Sequence, residues 1–162
     1  MFRINKQTDY GIVLLTHLAA ASEERYNAPD LAAETGLPLP MVSKILKLLV
    51  KDGILTSHRG VKGGYALARN PSRISVEEII AALEGPVAIT ECIEAAPTEC
   101  EHEPLCPTRT NWQKINHAVR QALQGITLEE MTQPIPQEKL VTLGGRLRSS
   151  DASAREMNSI TT

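Results

Sequence analysis

Aromatic side chains are almost missing from this 162-residue chain: Phe2, Tyr10, Tyr26, Tyr65 and Trp112 are all it has. So few rings cannot form the stacking platforms that single-strand binders use, so a nucleic-acid partner, if there is one, is a duplex. Long apolar runs are lacking too. Lys6, Asp9 and His17 interrupt the N-terminal segment where a secretory h-region would lie, and no stretch approaches membrane length. A cytoplasmic chain in a reducing compartment is expected, where disulfides are rare. The usual marks of an enzyme are also absent. No base is paired with an activated nucleophile, no phosphate-cradling loop joins a helix in the P-loop manner, and no Cys-x-x-Cys occurs. An enzyme is therefore not expected.

Cysteine is confined to one stretch. Cys92, Cys100 and Cys106 have seven and then five residues between them, in a segment broken by Pro97 and Pro104. Without a ladder or helical register to hold them apart, the three thiols can converge on one centre, and thiolates suit iron-sulfur clusters or zinc. Glu91, Glu94, Glu99, Glu101 and Glu103 crowd the same loop, which holds no lysine or arginine. That charge would raise the thiol pKa values, which disfavours a thiolate nucleophile and suits a bound cation. Inert thiols are the plain alternative.

The net charge of -2 hides an asymmetry. Residues 1–75 carry ten Lys and Arg against six Asp and Glu, whereas residues 76–162 carry seven against thirteen. The basic half is the candidate for a polyanion. It opens with an amphipathic helix over Lys6 to Ala21, capped by Asn5 or Thr8, with Tyr10, Val13, Leu14, Leu18 and Ala21 on its apolar side. A short helix follows, with Asn27 as cap, Pro29 in its first turn and Gly36 as a left-handed stop. After a tight turn, Pro38 to Asp52 reads as a helix with Val42, Ile45, Leu46 and Leu49 inward and Lys44, Lys47 and Lys51 outward. Helix, glycine turn and basic helix is the pattern of a helix-turn-helix, although lysines on a helix can also be only a solvated face.

Two short strand-like runs, Ile54 to Ser57 and Tyr65 to Leu67, flank a turn holding three glycines, Arg59 and Lys62. A basic tip directly after a basic helix makes this a wing. The fold class expected is mainly α: a winged helix-turn-helix with a small two-stranded wing and a long C-terminal dimerisation helix. Ser75 and Glu78 form a capping-box pattern ahead of a helix to Glu84, stopped at Gly85. Beyond the cysteines, Thr108 caps a helix to about Gln124, ended by Gly125, whose Trp112, Ile115, Val119 and Ala122 make a heptad-like seam for a second chain or for the first helix. Thr127 and Glu130 repeat the capping-box pattern. The domains expected are residues 1–85 for DNA binding, 86–107 for the cysteine loop, 108–132 for dimerisation with a short terminal helix, and 133–162 as a disordered tail.

Taken together, Thr8-Asp-Tyr-Gly11, the helix-turn-helix, the wing Arg59-Gly-Val-Lys-Gly-Gly-Tyr65, the Ile79 helix and the three-cysteine loop resemble the Rrf-two family of winged-helix iron-sulfur regulators. Met41 to Leu49 and Leu105 to Trp112 look nearest to the regulators of the SUF system of iron-sulfur assembly. The resemblance spans about residues 1–132. It implies a homodimer on a roughly palindromic double-stranded operator, acting as a repressor of iron-sulfur assembly genes. It also implies a cluster, either 2Fe-2S or 4Fe-4S, held by Cys92, Cys100 and Cys106. Arg109 stands where IscR-like members have a ligating histidine, and it cannot bind iron. Asp9 of the partner subunit fits the place of the NsrR-like aspartate, with His102 as a rival inside the loop. Ser43 and Lys44 are the candidates for base edges, next to Met41 at the head of the helix, and Lys47, Lys51, Arg59 and Lys62 for the phosphate backbone. Structural zinc and nitric-oxide or redox sensing remain the alternatives.

Overall fold

The computed structural model describes residues 4–21, 25–60, 63–90 and 106–133. Its elements run α1 (Lys6–Ala20), α2 (Ala28–Thr35), α3 (Leu39–Lys51), β1 (Leu55–His58), β2 (Gly64–Leu67), a 3-10 turn (Pro71–Arg73), α4 (Val76–Glu84), α5 (Arg109–Gln124) and α6 (Leu128–Thr132). The mainly helical fold with a two-stranded antiparallel wing is the expected one.

Local chemistry sets most of the boundaries. Asn5, not Thr8, caps α1: its Oδ1 accepts the Thr8 N–H at 3.0 Å. Asn27 Oδ1 accepts the Asp30 N–H at 2.9 Å and starts α2, and Gly36 at φ 68 ends it in the left-handed region. Both capping boxes form. The Ser75 and Thr127 hydroxyls accept the Glu78 and Glu130 N–H groups, and those carboxylates accept the Ser75 and Thr127 N–H groups in return.

Two expected signals work differently. Thr108 makes no capping bond, because its backbone is already helical and its hydroxyl lies 3.3 Å from Cys106 Sγ. Gly125 takes φ -74, so the chain leaves α5 without a left-handed turn. The strands sit at Leu55–His58 and Gly64–Leu67, displaced by about a residue from the runs read in sequence.

The core gathers Leu14, Leu15 and Leu18 of α1, Leu31 of α2, the four apolar residues of α3, then Ile54, Leu55, Ile74, Ile79 and Leu83. Val13, expected inward, is instead exposed. Leu128 of α6 is wholly buried in this same core, so α6 is part of the winged body and lies against α1. Two backbone bonds fasten its start: Val76 N–H to Ile126 O at 2.9 Å and Leu128 N–H to Ile74 O at 2.8 Å.

Tyr26 extends the wing sheet by a single rung beyond β2, exchanging backbone bonds with Tyr65 at 3.2 and 2.8 Å. Beside it, Gly64 adopts φ +150, and a Cβ there would stand 2.8 Å from the Tyr26 carbonyl oxygen. Only glycine permits this approach.

Leu128→Ala should cost about 2–5 kcal/mol of stability by denaturant unfolding, as core truncations do, whereas Met131→Ala, on the exposed side of α6, should stay within about 0.5 kcal/mol. A pH signature accompanies the α4 box. Burial pushes the Glu78 carboxyl up, but the Ser75 N–H, the Arg69 guanidinium and the Ser75 hydroxyl outweigh it and hold the carboxyl below its ordinary 4.5. The folded chain thus binds this proton more weakly than the unfolded chain. The contribution is full above about pH 4.5 and lost as pH falls through the folded value. Glu78→Gln should flatten the acid limb of the stability profile and leave its slope above about pH 6 unchanged.

Candidate nucleic-acid interface

The burial of α3 decides what it can present. Val42, Ile45, Leu46 and Leu49 are fully buried on one side, which turns Lys44, Lys47 and Lys51 outward as an exposed row. No acidic residue stands in its first turn to repel a phosphate. Ser43 is half-buried beside the row, and Met41 packs partly against the core, which makes it the least available of the expected contacts. The wing stands next to α3. Its ladder pairs Leu55 with Leu67 and His58 with Gly64, and carries Arg59 exposed at the tip. Lys62 lies outside the described residues.

α5 lies on α4, and its register differs from the expected seam. Val119 and Leu123 pack against Val76, Ile80 and Val87 of the same chain. Asn116, 5% exposed, accepts the Ile89 N–H through Oδ1 at 3.2 Å. Arg120 Nε reaches the buried Glu77 Oε1 at 2.9 Å. The inward face is thus Asn116, Val119, Arg120 and Leu123, while Ile115 at 46% and Ala122 are exposed beside it and Trp112 is 38% exposed near the start. The sequence reading missed Asn116, Arg120 and Glu77. A polar residue stepping four, three and four with Trp112, Val119 and Leu123 was the available signal for Asn116.

The cysteine loop joins these pieces. Residues 91–105, with Cys92, Cys100 and His102, lie outside the described residues. Cys106 is half-exposed just before α5. The Thr108 hydroxyl and backbone, with a smaller contribution from Arg109, hold its thiol below the usual range. The elevation expected from the loop's glutamates therefore does not apply to Cys106. Asp9 stands exposed on α1, one turn from the exposed Val13.

A basic, outward-facing second helix beside a basic-tipped wing defines a winged helix-turn-helix DNA-binding regulator. Comparison with known proteins narrows the class. Residues 4–134 match the sequence profile of the Rrf2 family, described as an iron-dependent transcriptional regulator, and the chain belongs to that family. It is 30% identical over 135 residues to the protein aau3 of Rhizobium meliloti (strain 1021), covering 83% of this chain and 88% of that one. It is 28% identical over 130 residues to the regulator IscR of Pectobacterium atrosepticum, covering 80% and 78%. Among solved structures, CymR, the global cysteine regulator of B. subtilis, superposes with a TM-score of 0.63 at 28% identity, covering 82% of this chain and 97% of that one. T. potens IscR superposes at 0.61 and 25% identity, covering 86% and 96%. The protein is thus a transcriptional regulator and not an enzyme.

Lysines that touch only phosphate and lysines that touch bases separate in salt titrations. Lys51→Ala should reduce the slope of log affinity against log salt by about 1 on any duplex. Lys44→Ala should change which base is preferred. Equal, sequence-independent effects of the two would contradict this division.

Proposed function

We propose that this chain is a cytoplasmic, homodimeric repressor of iron-sulfur assembly genes of the SUF type, whose operator affinity responds to an iron-sulfur cluster on Cys92, Cys100 and Cys106. The observation that carries the reading is the anchorage of the cysteine loop. Its entry is held at Ile89 by buried Asn116 of α5, and its exit, Cys106, leads into the first turn of the same helix. Along α5 those two anchor points are about 10 Å apart, at roughly 1.5 Å per residue from Arg109 to Asn116. With both ends of the loop fixed on one helix, a centre that bound its three thiols would be joined directly to α5.

Three features of the described residues support a metal group and a second copy. The lowered thiol of Cys106 is disposed to lose its proton, as a ligand must. Asp9 faces outward on α1, where a partner subunit's loop could reach it. Exposed Ile115 and Ala122, with Trp112, offer apolar surface on α5 for the second copy, while Val119 is committed to its own chain. A cluster, when bound, supplies a centre sensitive to oxidants and to iron supply. Its occupancy changes DNA affinity only if one DNA-binding conformation holds it better than the other. The loop and α5 are the route by which the two would be coupled.

Anaerobic purification, followed at once by an absorbance spectrum and by iron, sulfide and zinc analysis, should give a brown protein with iron and acid-labile sulfide. Cys92→Ala, Cys100→Ala and Cys106→Ala should each lose the iron and, with it, the difference in operator binding between loaded and empty protein. Colourless protein that resists reconstitution and binds zinc stoichiometrically would replace the sensor with a zinc-stapled repressor.

A further inference from the structure

The front of α3 is built unlike the fronts of α1, α2, α4 and α6. Each of those begins with a side-chain oxygen that accepts an N–H from its first turn. α3 begins at Pro38 with no side-chain cap. Pro40 has no N–H to offer, and the Met41 and Val42 N–H groups both donate to the Pro38 carbonyl, at 2.9 and 3.0 Å. From Leu37 to Val42 no side chain carries a polar atom that can donate a hydrogen bond. Leu39 projects from this end with 43% of its surface exposed, although the other branched aliphatics of α3 are half-buried or wholly buried. It therefore contributes little to the core. Ser43 lies one helical turn further on the same side, and Lys44 follows it.

A helix that enters the major groove by its N-terminus meets base edges with its first residues. Those edges present donors, acceptors and, on thymine alone, a C5 methyl. An aliphatic side chain at an end so poor in donors discriminates among them only by apolar contact. The neighbouring row of exposed lysines makes the surroundings cationic, which favours DNA over an apolar protein surface as what covers Leu39. We propose that Leu39 is a specificity-determining residue that reads a thymine methyl next to the base pair faced by Ser43 and Lys44. The proposal rests on the assignment of α3 as the DNA-reading helix.

The test begins with full-length protein, cluster-loaded and empty, selecting sites from a random duplex pool. Each thymine of the selected site is then replaced by deoxyuridine, which removes only the methyl. For the unaltered protein, one thymine in each half-site should lose about fourfold in affinity on replacement, the equivalent of one buried carbon. In Leu39→Ala that penalty should vanish, and in Leu39→Met it should persist. Because Leu39 is exposed, thermal unfolding should show both variants folded. Tolerance of deoxyuridine at every thymine, or an unchanged penalty in Leu39→Ala, overturns the role of Leu39 while α3 remains the reading helix. If neither form selects any duplex, the assignment of α3 itself fails, and the role of Leu39 with it.

Discussion

The complete burial of one side of α3 is the constraint on which the rest depends. Val42, Ile45, Leu46 and Leu49 have no measurable exposure, and each such side chain contributes about 1.5–3 kcal/mol by leaving water. Rotating the helix to bring a lysine inward would forfeit several of those terms and bury a charge as well. The elements packed around it hold this orientation. α1 and α4 supply the leucines and isoleucines that α3 packs against, α2 sets the turn, and α6 closes the far side through Leu128. The direction of the basic row is therefore fixed by hydrophobic packing, not by the charges that use it.

Much of this was legible in the sequence because it rests on local chemistry. Asn27, Gly36, the two capping boxes and the apolar pattern of α3 act within a turn or two of chain, and each does in the structure what its residue type suggests. What was not legible depends on distant partners. Val13 has the right spacing for the core but is left exposed, with no neighbour among the described residues to bury it. On α5, Ile115 and Ala122 fit a heptad as well as Asn116 and Leu123 do; the position of α4 selects between them, and buried Glu77 selects Arg120. Tyr26 pairs with Tyr65 across 39 residues through a single rung, too short to leave any periodicity. The role of the Thr108 hydroxyl likewise depended on where Cys106 would lie.

α4 and α5 are joined by a contact of their own. The contact is small: Val76, Ile80 and Val87 against Val119 and Leu123, one ion pair and the Asn116 bond. It nevertheless joins the core of the winged body to the helix into which the cysteine loop leads. α4 spans the two, sharing Ile79 and Leu83 with the main core while presenting Val76 and Ile80 to α5.

The single rung between Tyr26 and Tyr65 bears on how such a molecule can be controlled. It stitches the wing to the segment just before α2, where the His17 ring also meets Tyr26 edge-on at 5.3 Å. The wing is thus tied to the scaffold that carries α2 and α3 as well as to α3 through β1. In the dimer proposed above, a signal arriving through α5 would act on the spacing and angle at which two such reading surfaces meet one duplex.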